Sequence, residues 1–98
     1  MRLLFRNPRL AVIRTEQAQT LGFAADVVAA CQKKLHFLES VPDELTLRGW
    51  KSLHYEKLVG DREGQRSIRL NKYWRLIFVL DEATTPPTIE ILELEDYH

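Results

Sequence analysis

The sequence predicts an α+β domain, with helices in its first half and an antiparallel meander of strands in its second half. Three observations support this fold class. An apolar stripe at helical spacing follows Gly22, and the segments beyond residue 66 alternate polar residues with apolar ones. The chain has 98 residues, of which 45% are hydrophobic and 29% charged. That length predicts one domain, residues 1–98, with one thin core.

The first half opens with segments that fit more than one element. Residues 2–6 fit a short strand or the start of a helix, and Asn7-Pro8 fits a tight turn or the first turn of a helix. The mixed residues 10–20 predict no definite element.

The clearest helix follows Gly22. Its apolar positions recur at i, i+3 and i+4 spacing, namely Val27 or Val28, Cys31, Leu35 and Leu38. Residues 40–42 end this helix, and residues 42–44 begin another short turn or helix.

The second half predicts strands. Residues 67–70 alternate polar and apolar side chains, and Asn71-Lys72 fits a tight hairpin turn. Residues 73–80 are rich in aromatic and branched side chains, which is typical of a central strand. A loop with two prolines, residues 81–87, separates it from the last strand, residues 88–95.

Composition excludes several classes of protein. The single cysteine, Cys31, excludes an intramolecular disulfide, and no spacing of His, Cys or carboxylates predicts a metal site. The sequence contains no glycine-rich phosphate-binding loop, so it predicts no cofactor. The sequence shows no secretion signal and no apolar run near the ~20 residues that a membrane span needs. We therefore expect a cytoplasmic protein with no membrane partner.

Charge is balanced in total but segregated along the chain. Residues 48–75 carry eight basic and three acidic residues, whereas residues 76–98 carry six acidic residues and no Lys or Arg. The basic stretch interleaves with Tyr73 and Trp74, and arginine forks suit phosphate. The candidate RNA-binding residues are Arg69, Arg75, Arg66, Lys72, Lys57 and Arg62. The alternative is a solvated sheet face paired with the acidic last strand.

The C-terminal residues Asp96, Tyr97 and His98 follow the last predicted strand directly. A carboxylate, a phenol and an imidazole are side chains that metal-free RNA cleavage can use. One group takes the proton of a 2′-hydroxyl, and another protonates the leaving 5′-oxygen. Imidazole suits both tasks because its pKa lies near ~6.5. The alternative interpretation is a frayed terminus.

Four segments together resemble one known family, the HigB-type killer toxins of the RelE/ParE superfamily of bacterial toxin–antitoxin systems. The segments are Gly60-Asp61-Arg62-Glu63-Gly64, Ser67-Ile68-Arg69, Tyr73-Trp74-Arg75-Leu76-Ile77-Phe78 and Asp96-Tyr97-His98. The resemblance covers about residues 45–98, and the first half matches only in length and pattern.

The resemblance implies a RelE/ParE-like α+β fold, with N-terminal helices packed on a curved antiparallel sheet. It also implies a metal-independent endoribonuclease that cuts mRNA in the ribosomal A site. The implied partners are the ribosome with its mRNA and a HigA-like helix-turn-helix antitoxin. Operator DNA would be bound only through the complex with the antitoxin.

The resemblance extends to candidate catalytic residues. Asp96, Tyr97 and His98 match the family's terminal residues directly. The family's upstream histidine lies four residues before the first loop glycine, where this chain has Glu56. His54 lies two residues further back, so both are candidates for the upstream catalytic group.

Two other functions remain open from the sequence. One is a ParE-like toxin that binds DNA gyrase without cutting RNA, which the Asp-Tyr-His end disfavours because a gyrase binder needs no acid–base groups. The other is a non-catalytic relative that only binds the antitoxin.

Overall fold

The computed structural model describes residues 1–97, in which helices pack against one face of a five-stranded sheet. The strands are β1 (Arg2–Phe5), β2 (Glu56–Lys57), β3 (Gln65–Arg69), β4 (Trp74–Asp81) and β5 (Thr88–Asp96). The α-helices are α1 (Ala25–Ser40) and α2 (Glu44–Gly49). Short 3-10 helices span Leu10–Arg14, Ala18–Leu21, Lys51–Leu53 and Gly60–Arg62.

The helix predicted after Gly22 is confirmed as α1. Its buried side chains are Val27, Cys31, Leu35 and Leu38, which form the predicted stripe. Burial raises the pKa of the Cys31 thiol to about 12, so this side chain is a core residue and not a nucleophile. None of the helices in residues 1–97 has the length and apolar character needed to cross a membrane.

The second helix, α2, begins where the sequence predicted a short turn or helix. The carboxylate of Asp43 caps it by accepting a hydrogen bond from the Thr46 amide at 2.9 Å. The α2 helix leads through the Lys51–Leu53 turn directly into His54.

The N-terminus ties β1 to the end of α1. The Met1 ammonium donates to the carbonyls of Leu38, Glu39 and Val41 at 3.1, 3.1 and 2.6 Å. A positive charge is favourable there because the last carbonyls of a helix lack partners within it.

The strand order is β1-β5-β4-β3-β2. The predicted α+β class is confirmed, with two differences in the sheet. Strands β3, β4 and β5 pair antiparallel as predicted. The sequence did not predict β2, which pairs antiparallel with β3, and β1 pairs with β5 in parallel. Pairing between the first and last strands cannot be inferred from local pattern, because their segments are separated by most of the chain.

The hairpin between β3 and β4 turns at the predicted place. The Asn71 side chain accepts hydrogen bonds from the amides of Tyr73 and Trp74 at 3.0 and 2.9 Å. The asparagine side chain therefore closes the turn without a glycine.

A β-bulge between β4 and β5 keeps the two faces of the sheet distinct. Ile77 pairs with Glu93, but the next residue, Phe78, pairs with Ile91. The extra residue is Leu92, and it lets Ile91 and Leu94 share the core face although they are three positions apart.

The other face of the sheet carries several polar and charged side chains around the buried Ser67 and Ile77, and we call it the open face. Ser67, Arg69, Arg75, Glu93 and Glu95 alternate with core residues and therefore project from this open face.

Candidate active site

Two arginines face each other on the open face of the sheet. Arg69 at the end of β3 and Arg75 near the start of β4 are cross-strand partners. Like charges at such positions repel each other. Neither guanidinium makes an ion pair with residues 1–97. Glu95, the cross-strand neighbour of Arg75, instead binds Arg62 at 2.8 Å. The pair is therefore available for an anion.

His54 joins this arginine pair from the loop before β2. Its backbone has φ 49°, in the left-handed region, which only a minority of non-glycine residues adopt. Its amide donates to the Lys51 carbonyl at 3.1 Å, and its carbonyl accepts from the Arg75 guanidinium at 3.0 Å. These bonds hold the imidazole over the open face.

The His54 side chain contacts the other arginine. Its Nε2 atom lies 3.1 Å from Nη1 of Arg69. A guanidinium only donates, so this contact is a hydrogen bond when Nε2 carries no proton. That is the form of imidazole that accepts a proton.

Tyr97 completes the cluster from the end of β5. The Arg75 guanidinium lies 5.0 Å from the centre of the Tyr97 ring, in a cation–π contact. The Tyr97 amide donates to the Tyr73 carbonyl at 2.6 Å, which extends the pairing of β4 with β5 by one residue. His54, Arg69, Arg75 and Tyr97 therefore form one cluster, which we call the arginine–histidine cluster.

The other terminal candidates lie differently. Asp96 pairs with Trp74, so it projects from the face opposite Arg75. His98 lies outside the described residues.

Of the two candidates for the upstream catalytic group, His54 is the one that contacts the arginines. Glu56 pairs with Ser67 at the sheet edge and makes no hydrogen bond or ion pair with residues 1–97. The structure thus brings His54, and not Glu56, into contact with both arginines.

The remaining predicted cations lie outside the cluster. Lys57 and Arg66 are cross-strand partners that project from the core side of the sheet, towards Glu44. Arg62 is bound to Glu95, which raises the pKa of its guanidinium, and the Lys72 ammonium lies 5.4 Å from the Tyr73 ring centre. Their part in RNA binding stays a prediction.

Sequence reasoning missed a network that anchors the residue after His54. The Tyr55 hydroxyl donates to Glu44 at 2.5 Å, and Arg66 Nε lies 2.8 Å from that hydroxyl and 3.1 Å from the Glu44 carboxylate. The Tyr55 bond lowers the pKa of Glu44, while burial and the same bond raise the pKa of Tyr55. The Glu44–Tyr55–Arg66 network joins α2 to β3 and fixes the chain beside His54.

The cluster has the parts that phosphate chemistry needs. Two arginines can hold phosphate oxygens through paired hydrogen bonds, and an unprotonated imidazole can accept a proton. Within residues 1–97, no group of three or more His, Cys, Asp or Glu residues could hold a metal ion.

Three solved structures share this architecture. A YoeB/ParE toxin from Agrobacterium tumefaciens matches with TM-score 0.61 and 14% identity, covering 100% of both chains. A YoeB–YefM complex from Staphylococcus aureus matches with TM-score 0.61 and 22% identity, covering 100% of this chain and 97% of the other. The RelBE2 toxin–antitoxin complex from Mycobacterium tuberculosis matches with TM-score 0.52 and 18% identity, covering 99% and 96%.

The chain has a YoeB/RelE-type toxin fold. The likeness spans the whole domain, including the helical first half that the sequence matched only in length and pattern. No protein-family model and no curated protein matches the chain in sequence.

Proposed function

We propose that the protein is the toxin of a type II toxin–antitoxin pair and cleaves mRNA in the ribosomal A site, as the resemblance to HigB-type toxins implies. The observation that carries the proposal is the contact of His54 with both Arg69 and Arg75 on the open face of a YoeB/RelE-type fold. A proton acceptor beside two arginines that make no ion pair with residues 1–97 suits a reaction in which negative charge develops on phosphate.

The proposed reaction transfers a phosphoryl group within the RNA. His54 takes the proton of a 2′-hydroxyl, the 2′-oxygen attacks phosphorus, and the bond to the 5′-oxygen breaks. The leaving oxygen takes a proton from His98. The products are a 2′,3′-cyclic phosphate and a 5′-hydroxyl. Tyr97 donates a hydrogen bond to a phosphate oxygen. Asp96 projects from the opposite face of the sheet, so we assign it no proton transfer.

Arg69 has a second role in this scheme. In the free protein its Nη1 atom lies 3.1 Å from the Nε2 atom that must accept the proton. An entering phosphate competes for the same guanidinium and releases Nε2 for catalysis. Substrate binding would thus activate the base.

The small domain needs help to orient its substrate. The described cluster is open and carries few groups that could align a flexible strand, so the ribosome would supply that orientation. The implied setting is the cytoplasm, with an antitoxin partner. One of the similar structures is a YoeB–YefM complex, and another is the RelBE2 toxin–antitoxin complex.

The test uses the purified protein and a reconstituted translation system. We expect cuts within codons of translated mRNA and little cutting of the same naked mRNA, mapped from the 5′ ends of the fragments. Efficient cutting of naked RNA would contradict ribosome dependence. Inhibition of gyrase supercoiling with intact mRNA would favour the ParE-like alternative, and no effect in either assay would favour a non-catalytic antitoxin binder.

A further inference from the structure

A groove of about 370 Å³ adjoins His54 on the side of α2. Its lining residues are Arg48, Trp50, Lys51, His54 and Tyr55. The lining contains two cations, an exposed aromatic ring and no carboxylate. The groove therefore favours a ligand that combines an apolar plane with negative charge.

The Trp50 indole is held in place although 52% of the residue is exposed. Phe37 packs against it in a T-shaped arrangement, with ring centres 5.2 Å apart. The Trp50 amide donates to the Leu47 carbonyl at 3.2 Å, and its carbonyl accepts from the Leu53 amide at 3.1 Å. A ring fixed in this way binds a planar partner with little loss of side-chain entropy.

The cations beside Trp50 are weakly engaged. Lys51 makes no ion pair with residues 1–97. Arg48 lies 4.0 Å from Glu44, but that carboxylate already accepts shorter hydrogen bonds from Tyr55 and Arg66. Both side chains can therefore turn to an anion in the groove.

We propose that this groove binds one unpaired RNA nucleotide next to the scissile phosphate, with its base stacked on Trp50 and its phosphate held by Lys51 and Arg48. The assignment rests on the proposed RNA cleavage, because His54 lines both the groove and the arginine–histidine cluster. Stacking on an aromatic ring beside lysine and arginine is a common mode of single-strand recognition. The groove thus extends the substrate site by one nucleotide.

The binding test separates this groove from catalysis. The probe is a fluorescent nine-nucleotide 2′-O-methyl RNA, which lacks the attacking hydroxyl and stays intact, and the readout is anisotropy. Trp50→Ala should weaken binding roughly 5- to 150-fold, whereas Trp50→Phe keeps a stackable ring and should recover much of the affinity. Leu45→Ala is the matched control, since Leu45 is 71% exposed on α2 but does not line the groove.

Salt dependence tests the phosphate contact separately. Lys51→Ala should reduce the slope of log affinity against log salt by about 0.7, the value for one phosphate contact on a single strand. Unchanged affinity in both Trp50 variants would overturn the proposal. A change in oligomeric state by Trp50→Ala without a change in RNA affinity would also overturn it, and would assign Trp50 to a protein interface.

The two proposals fail in distinguishable ways. In one outcome, the wild-type protein cuts no translated mRNA, but Trp50→Ala still weakens its binding of the oligonucleotide. That result would support the nucleotide groove and reject the endonuclease. In the other outcome, the wild-type and Trp50→Ala proteins cut translated mRNA at equal rates and bind the oligonucleotide with equal affinity. That result would support the endonuclease and reject the nucleotide groove.

Discussion

The imidazole Nε2 of His54 lies 3.1 Å from a guanidinium nitrogen of Arg69, while the carbonyl of the same histidine accepts a hydrogen bond from Arg75 at 3.0 Å. One residue from a loop is thus attached at its side chain and at its backbone to the cross-strand arginine pair. That geometry positions a proton acceptor beside two cations that make no ion pair with residues 1–97.

Removing either arginine should impair cleavage more than folding. Arg69→Ala and Arg75→Ala should each lower the rate in the translation system by roughly 10²-fold, because the guanidinium meets charge that develops on phosphate. Arg→Lys at either position should recover only part of the rate, since lysine lacks the planar fork. Arg2→Ala, at the far edge strand, is the control. Full activity of both Ala variants would show that these residues only solvate the sheet.

The two upstream candidates should separate by mutation. His54→Ala should lower the cleavage rate by roughly 10²–10⁴-fold, the usual loss for a proton-transfer group. Glu56→Gln should change it only a few-fold, because Glu56 makes no hydrogen bond or ion pair with residues 1–97. Single-turnover rates on stalled ribosomes provide the measurement. A larger loss of cleavage rate in Glu56→Gln than in His54→Ala would assign the role of proton acceptor to Glu56.

Acid should weaken the Glu44–Tyr55–Arg66 network. The Tyr55 hydrogen bond and Arg66 hold the pKa of Glu44 below its usual value near 4.3, so the carboxylate stabilises the fold above that value. This contribution is lost as the pH falls through the lowered pKa. Glu44→Gln should therefore be less stable than wild type at pH 7, and the gap should narrow below about pH 4.

Urea denaturation at several pH values measures this effect. The control is Glu63→Gln, because Glu63 is exposed in the loop before β3 and has no ion pair within residues 1–97. A constant gap between wild type and Glu44→Gln from pH 7 to pH 3 would mean that the carboxylate charge does not stabilise the network.

Deletion of His98 should abolish toxicity while leaving the melting temperature nearly unchanged. The residue before it, Tyr97, is already anchored to Tyr73 and Arg75, so the strand end does not need His98 to hold it. Growth after induced expression and thermal unfolding of the purified protein are the two readouts. A C-terminal tag should also reduce toxicity. A fully toxic deletion variant would require a different proton donor for the leaving oxygen.

Much of the fold could be predicted because the signals are local. The α1 stripe and the alternation in β3 lie within single elements, and the Asn71 turn joins neighbouring strands. The two-residue strand β2 is too short to show a period, and the parallel pairing of β1 with β5 joins the ends of the chain. Residues 10–20 lack a clear period because they form 3-10 turns there.

The candidate site, like the fold, could be predicted from the sequence only in part. The sequence predicted Arg66, Arg69 and Arg75 as candidate RNA-binding residues, but which of them share a face followed only from the register of β3 with β4. The Glu44–Tyr55–Arg66 network joins residues that are 11 and 22 positions apart, without a local pattern. His54 lies two residues before the position that the family resemblance implies for the upstream histidine. It reaches the arginine–histidine cluster through a left-handed backbone conformation that the sequence does not predict.

The central claim is that the arginine–histidine cluster cleaves RNA through the 2′-hydroxyl. The most direct measurement uses ribosomes programmed with an mRNA that carries a single 2′-deoxynucleotide immediately 5′ of the mapped cut. We expect the unmodified mRNA to give a 2′,3′-cyclic phosphate and a 5′-hydroxyl, and the 2′-deoxy mRNA to stay intact at that position. Cutting of the 2′-deoxy mRNA at an equal rate would contradict the account.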